Sequence, residues 1–258
     1  ASQKRMLKVK FAVLADIHGN SFALEAVLQD MKSLNVEQAV NLGDFFSGPI
    51  DAAGTAALLM KHDFPSIRGN HDRYLIEQEP SNMGPSDRVA FDQLSKAHLE
   101  WIASLPPTRT VFDDVFLCHG TPRSDATYWL ERVDENGTVR SANLAEVIAE
   151  AEGINASLLL CAHTHIPRCI RLPDGRVVAN PGSVGCPAYD DDVPVYHHMQ
   201  TGSPNASYAL ADKLHGEWSL TFRSGPYDTR QACERATENK RSDWARALKT
   251  GWFESAPS

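Results

Sequence analysis

Apolar residues in this chain come in short runs that stop abruptly at polar residues, and the runs alternate with stretches of helical period. Residues 9–15 (VKFAVLA) form a β-rich run ending at Asp16, the pattern of a buried strand. Leu24, Val27, Leu28 and Met31 then recur at i, i+3, i+4 and i+7, and Asn20 or Ser21 is placed to cap the helix they predict. Residues 39–42 repeat the strand signal and stop at Gly43-Asp44. A second helix is expected over 52–61, and a brief third strand over 66–68, just before Gly69-Asn70-His71-Asp72. Residues 74–105 are helical in pattern with a loop around 79–86, and Pro106-Pro107 end that section.

Residues 111–112 and 115–118 flank Asp113-Asp114, which predicts a hairpin whose second strand delivers His119. A polar loop covering 121–138 and a helix near 144–152 precede a strand over 157–162 (SLLLCA) that ends at His163. Beyond it the pattern turns antiparallel: 169–172 and 176–179 are joined by Pro173-Asp174-Gly175, and 207–212 and 218–222 by a turn at His215-Gly216. The stretch 228–252 is charged, helix-like and expected to lie across the surface. No repeat, low-complexity tract or linker divides the chain. The organisation predicted is one α/β domain over 1–258 with a helical tail at about 228–252, mixing parallel and antiparallel strands.

Charge narrows the partners. With 25 basic and 33 acidic residues the formal net charge is −8, which speaks against a nucleic-acid polymer or an anionic membrane. A small phosphate substrate stays open, because bound divalent cations invert the local field. No apolar stretch approaches the ~20 residues needed to span a bilayer. Residues 1–5 are polar and run straight into a strand pattern, so no signal peptide is expected. Cys118, Cys161, Cys169, Cys186 and Cys233 are odd in number and lack C-x-x-C spacing. They are expected as reduced thiols of a cytoplasmic protein, Cys118 and Cys161 buried in strands, and not as metal ligands.

Seven polar residues stand where apolar runs end: Asp16, His18, Asp44, Asn70, His119, His163 and His165, with His71 beside Asn70. Functional groups gather where strands of an open α/β sheet give way to loops, so such segments can converge. Imidazole with carboxylate suits Mn, Fe, Zn, Co or Ni, and the lack of Cys argues against a structural zinc cage. A carboxylate has two oxygens, so Asp44 can bridge two ions; ions about 3.5–4 Å apart activate a bridging water and clamp the oxygens of an in-line displacement. On extended backbone, residues i and i+2 point the same way, so Asp16 with His18, and His163 with His165, are each expected to chelate from extended chain. Gly69-Asn70-His71-Asp72 is the most specific segment: Gly69 is expected to permit a tight turn, Asn70 to offer a neutral oxygen, and His71 to act as acid or base.

Other residues carry weaker signals. Arg73 and Arg123 lie near the motifs and suit phosphate geometry, though an Arg on a loop is commonly just solvated. Asn20 can bind substrate or simply cap the first helix. His197-His198 is expected on a surface loop within a polar insertion over 196–205, since consecutive side chains on extended backbone diverge. Asp190-Asp191-Asp192 is expected as a solvated turn, and His62, His98 and His215 as ordinary histidines.

These segments resemble the calcineurin-like metallophosphoesterase superfamily, whose pattern runs D-x-H, G-D, G-N-H-[DE], H and G-H-x-H in that order. The stretch 16–28 (DIHGNSFALEAVL), Asn180-Pro181-Gly182-Ser183-Val184-Gly185 and Ser207-Tyr208-Ala209-Leu210 are similar to its small bacterial and archaeal branch. The resemblance implies a four-layer α/β/β/α sandwich of two mixed sheets flanked by helices, with the site on one edge. It implies two divalent transition-metal ions, Mn favoured for activity, with Asp16, His18 and His165 on one, Asn70, His119 and His163 on the other, and Asp44 bridging. His71 would be the general acid or transition-state stabiliser, oriented by Asp72 or a backbone carbonyl. The activity implied is hydrolysis of a small phosphodiester or nucleotide-like phosphate by a metal-bridging hydroxide.

Two departures stand out. Ala162 replaces the Gly that normally precedes H-x-H. Ser47 and Gly48 stand where the protein phosphatases of the superfamily, with G-D-x-V-D-R-G, carry Asp and Arg. That removes the acid's dyad partner and a phosphate-clamping Arg, and weakens a protein-phosphatase reading. The alternatives are a phosphomonoesterase or protein phosphatase, or a non-catalytic scaffold like the retromer subunit of this fold, which would show eroded ligands. The expected partner is a small phosphate ester or nucleotide; a homo-oligomer is left open. Specificity is expected in the loops 74–86, 121–138 and 187–205.

Overall fold

Alternation decides the architecture at the first strand. Lys10–Leu14 (β1) sends Phe11 and Val13 into one apolar cluster and Ala12 and Leu14 into another, the period-2 signature of a strand buried on both faces. The structure is a computed structural model describing residues 10–253. Val9 of the expected first strand, and the polar residues 1–5, lie outside the described residues.

Helix Ser21–Ser33 (α1) follows, with Asn20 accepting a hydrogen bond from the Ala23 amide as its cap, and buries Ala23, Leu24, Val27 and Met31. Next come Ala39–Asn41 (β2), Ala52–Leu59 (α2), Asn70–Glu77 (α3), Pro85–Gln93 (α4) and Lys96–Ser104 (α5). The second half opens with Arg109–Val111 (β3) and Val115–Leu117 (β4), then the hairpin Glu131–Val133 (β5) and Val139–Ser141 (β6), and Leu144–Glu150 (α6). Leu158–Leu160 (β7), Arg168–Arg171 (β8) and Val177–Asn180 (β9) precede a second hairpin, Ala188–Asp191 (β10) with His197–Gln200 (β11). Ala206–Leu214 (β12), Glu217–Gly225 (β13), Arg230–Glu238 (α7) and Ser242–Thr250 (α8) complete the described chain.

Two mixed sheets result, ordered β13-β12-β1-β2 and β3-β4-β7-β9-β8. Phe11, Val13, Val40, Leu117, Leu160 and Val177 meet between them in one core. The outer face of the first sheet packs on α1 and α2 through Ala12, Leu14, Leu24, Val27, Ala56 and Leu59. That of the second packs on α6 through Leu159, Val178 and Val147. This is the expected four-layer α/β/β/α arrangement. β1 runs parallel to β2, and β4, β7 and β9 run parallel to one another.

Several expected elements differ. Residues 66–68 make a single bridge, Asn41 to Ser66, and no third strand. Helix α3 starts at Asn70, so Asn70 and His71 sit in its first turn. The polar stretch 121–138 holds β5, paired with β6 around Asn136-Gly137, a turn dipeptide that was available as a hairpin signal. The supposed insertion around 196–205 and the supposed turn at Asp190-Asp191 contribute the β10–β11 hairpin. The 228–252 stretch forms α7 and α8, which bury Ala232, Ala236 and Leu248 against Ile50. Among the described residues no helix is long and apolar enough to cross a membrane.

Candidate metal centre

Parallel strands end on the same edge, and every expected ligand but Asn70, which opens α3, follows such an end. β1 leads to Asp16 and His18, β2 to Asp44, β4 to His119, and β7 to His163 and His165. Backbone bonds lock the ends together: the Asp16 amide donates to Gly43 O, the His18 amide to Asp44 O, and the Ala162 amide to His119 O. The His163 amide donates to Asp16 Oδ2 at 3.2 Å, joining the edge of one sheet to the other.

The local backbone is not extended, as the D-x-H and H-x-H segments had suggested. Asp16, His18, Asp44, His163 and His165 all have φ between 50° and 69°. Left-handed backbone at a non-Gly residue costs on the order of 1–3 kcal/mol and clusters at functional sites. The turns curl each pair inward where straight chain would carry the second side chain two residues further along the strand. Gly69 also differs from expectation, since its φ is an ordinary −93°. Its requirement is close approach: a Cβ there would lie 2.2 Å from Asp44 Oδ1 and 2.8 Å from the His119 ring.

Two buried triads result, Asp16–His18–His165 and Asp44–His119–His163, the ligand atoms within each lying within 4.8 Å of one another. Asp44 Oδ2 stands between them, 3.2 Å from His119 Nε2 and 3.8 Å from His18 Nε2. Three imidazoles are oriented identically: Nδ1–H donates at 2.7 Å to a backbone carbonyl, of Ser47 for His18, Leu42 for His119 and Cys186 for His165. That leaves each Nε2 lone pair turned toward the centre, the usual way a ligating histidine is held. His18 Nε2 and His165 Nε2 then face each other at 3.2 Å. Asp16 Oδ1, Asn70 Oδ1 and His119 Nε2 are buried with no hydrogen-bond partner among the described residues, although buried polar atoms are nearly always partnered.

Converging ring nitrogens and unpartnered oxygens are a setting that a cation between them would suit. Burial pushes His18 down to about 4 and His163 to about 3, so both rings are neutral and able to ligate. Burial also opposes charge on His119, yet Asp44 and then Asp16 raise it to about 10. Imidazole, carboxylate and one amide oxygen suit a transition-metal dication, and the residues fit two of them.

His71 projects beside this centre. Its amide donates to Asp44 Oδ1 at 2.9 Å, and its side chain is 34% exposed to the cleft. Nδ1 pairs with Asp87 Oδ1 at 2.8 Å, and Ser47 Oγ donates to the same buried carboxylate oxygen. Burial disfavours the imidazolium, but the Asp87 hydrogen bond together with the charges of Asp44 and Asp87 outweighs it, and the pKa rises to about 9. Asp72 does not orient this ring. Its carboxylate accepts the backbone N–H groups of Asp44 at 2.6 Å, Gly69 at 2.8 Å and Phe45 at 3.1 Å, fixing the two ligand loops against each other. Asp87 lies on α4, in a helical stretch that carried no chemical signal in sequence.

The three residues proposed for substrate do not line the cleft, which encloses about 270 Å³. Asn20 caps α1 and donates to Gly185 O and Tyr227 Oη. Arg73 is paired with Asp125 at 2.7 Å, and Arg123 is tied to Glu150 and to the Glu152 carbonyl near the end of α6. His197 is buried, not on a surface loop: Tyr128 Oη donates to its Nε2, and Tyr189 Oη beside them donates to His163 O at 2.8 Å, bracing that ligand loop from behind. The cleft wall instead carries Tyr74, Ser86, Tyr189, Arg241 and Trp244, with Asp190 and Asp191 at its acidic part.

Comparison with known proteins identifies the family and the fold. Residues 9–203 match the calcineurin-like phosphoesterase superfamily domain. An uncharacterised protein of Methanocaldococcus jannaschii is 23% identical, covering 93% of this chain and 96% of its own. Among solved structures, a metallophosphoesterase from Sphaerobacter thermophilus superposes with a TM-score of 0.74 at 23% identity, covering 95% of this chain and all of its own. A hypothetical protein of Pyrococcus horikoshii gives 0.71 at 20% identity, covering 94% and 98%. The fold, the convergent edge and the matched domain together make this chain a member of the calcineurin-like phosphoesterase superfamily.

Proposed function

We propose that the chain, acting as one metallophosphoesterase domain over 1–258 with its helical tail included, hydrolyses a small phosphodiester or nucleotide-like phosphate using two divalent transition-metal ions. Asp16, His18 and His165 would hold one ion and Asn70, His119 and His163 the other, with the Asp44 carboxylate standing between the two sets. The observation that carries this reading is the pair of buried triads with Asp16 Oδ1, Asn70 Oδ1 and His119 Nε2 unpartnered between them. When bound, two such ions supply Lewis acidity: they activate water for in-line attack and offset charge on the phosphoryl oxygens.

The chain's own groups do the rest. Asp87 and Ser47 hold His71 by Nδ1, leaving Nε2 to donate a proton or hydrogen bond to the leaving oxygen. The left-handed turns and the Asp72 carboxylate hold the ligand loops before substrate arrives, so little reorganisation is needed on binding. A protein-phosphatase activity is disfavoured by position 48, where any Cβ would meet His18 O at 2.0 Å, so the clamping Arg of that branch has no room. A scaffold role would leave those buried lone pairs uncompensated, a cost with no return.

The test is turnover of bis-p-nitrophenyl phosphate and p-nitrophenyl phosphate by protein stripped with chelator and reloaded with Mn²⁺, alongside metal analysis and His71→Ala. Metal-dependent cleavage, the diester favoured, that collapses in the variant is the expected result. Failure to bind two equivalents of metal, or full activity without metal, overturns the reading.

A further inference from the structure

We propose that Trp244, carried by α8 and backed by Arg241, is the specificity-determining surface of the cleft, selecting phosphate esters that bear a planar aromatic group of the nucleobase type. The inference rests on the phosphoester reading of the same cleft. It moves the choice of substrate from the loops expected to hold it to a helix some two hundred residues from the first ligand.

Helix α8 is fastened at both ends. Leu248 and Ala232 pack on Ile50, and Asn239 Nδ2 of the preceding turn donates to Pro49 O at 3.0 Å, in the stretch that follows Asp44. At the other end the Gly202 amide donates to Gly251 O at 2.9 Å, just beyond β11. Ala247 and Leu248 are the buried apolar residues of α8, whereas Trp244 meets the apolar cluster around Leu248 only in part. It is half-buried, lines the cleft, and sits edge-on to His18 with ring centroids 5.9 Å apart.

Its polar handle points the same way. Trp129 donates its Nε1–H to Val147 O and Trp218 to Ser157 Oγ, whereas Trp244 Nε1 has no hydrogen-bond partner among the described residues. An indole lining the cleft with an unused donor beside a phosphate site suits a base that can stack and accept. Arg241 lies 5.8 Å from the indole ring. Its Nε and Nη2 are fixed by Asp243 and its Nη1 by Ser86, so three of its five N–H donors are engaged and two remain for a ligand oxygen. Asp243 offsets its charge, which makes it a poor clamp for a second phosphate and a better partner for a neutral carbonyl or hydroxyl. Tyr74 stands against His71 at 5.4 Å, a second ring on the wall of the same cleft.

Calorimetric titration of the Mn²⁺-loaded protein with adenosine 5′-monophosphate and with ribose 5-phosphate isolates the base, because the two share phosphate and sugar. Wild type is expected to bind the nucleotide on the order of 10-fold more tightly. Trp244→Ala should bring the nucleotide down to the level of ribose 5-phosphate without moving the latter, and Trp244→Phe should keep most of the difference. Equal affinity in wild type, absence of binding by either, or equal weakening of both in Trp244→Ala would overturn the proposal. Discrimination without any phosphoester turnover would instead overturn the hydrolytic reading and leave this one standing. Turnover without discrimination would do the reverse.

Discussion

The floor and the wall of the cleft are built on different principles. The floor is strand ends: its histidines and aspartates are buried, five of its residues sit in left-handed backbone, and main-chain hydrogen bonds from both sheets fix their positions. The wall is side chains on separate elements, namely Tyr74 on α3, Ser86 on α4, Tyr189 on β10 and Trp244 on α8. A floor set by backbone allows almost no variation without losing the site. A wall set by side chains can change its chemistry while the fold stays the same.

Breaking the floor should produce the largest effects. Asp44→Asn removes the carboxylate lying between the triads and should cost at least about 10³-fold in turnover together with metal, read by plasma emission and kinetics. A metal-replete, fully active variant would erase the distinction drawn above. His71→Ala tests the boundary between floor and wall: kcat should fall by about 10²–10⁴ with metal content intact. The loss should be smaller for p-nitrophenolate, a leaving group that needs little protonation, than for an alkoxide.

Substitutions at the wall and just behind it should be milder. Asp87→Asn weakens the hold on His71 and should lower kcat by roughly 10–100-fold with KM and metal content little changed, if outer contacts here act as they do around metal ligands. A uniform loss of metal would mean that Asp87 supports the floor instead. Trp244→Ala should alter substrate preference by about tenfold and leave metal binding alone.

The smallest effect belongs to neither region. Asp30 on α1 accepts from Arg223 at 2.6 Å and from Tyr208 at 2.7 Å, tying α1 to β12 and β13. The Arg223 hydrogen bond holds its pKa below the ordinary carboxylate value. Its contribution is therefore present above the unfolded pKa and is lost as pH falls through the lower, folded one. Asp30→Asn should cost about 1 kcal/mol in urea unfolding at neutral pH and flatten that acid-side decline, with turnover unaffected.

The same contrast explains what was legible beforehand. An apolar run ending in Asp or His marks the end of a strand, and parallel strands gather their ends whatever the intervening sequence; the convergence of Asp16, Asp44, His119 and His163 could be read from that alone. Left-handed turns could not, because nothing in Asp-Ile-His distinguishes a curled from an extended segment. Asp72 stands inside the motif and Asp87 outside it, yet the fold sends the first to backbone amides and the second to His71. Trp244 sits in a stretch whose period announces an amphipathic helix and nothing about what its polar side faces. The β10–β11 strand pair was hidden by its aspartates and histidines, which are poor strand formers held there by cross-strand partners and by Tyr128.

The hydrogen bond from the His163 amide to Asp16 joins the two sheets at their shared edge, and each triad draws side chains from both. A cation seated in either triad would therefore act as a rivet through two leaves that meet chiefly through apolar packing, with polar ties such as His119 to Leu42 O and Trp218 to Ser157 beside it. Prying the leaves apart would require releasing it, so the occupied protein should open as one unit where the same chain without that fastening could breathe along the seam between its sheets.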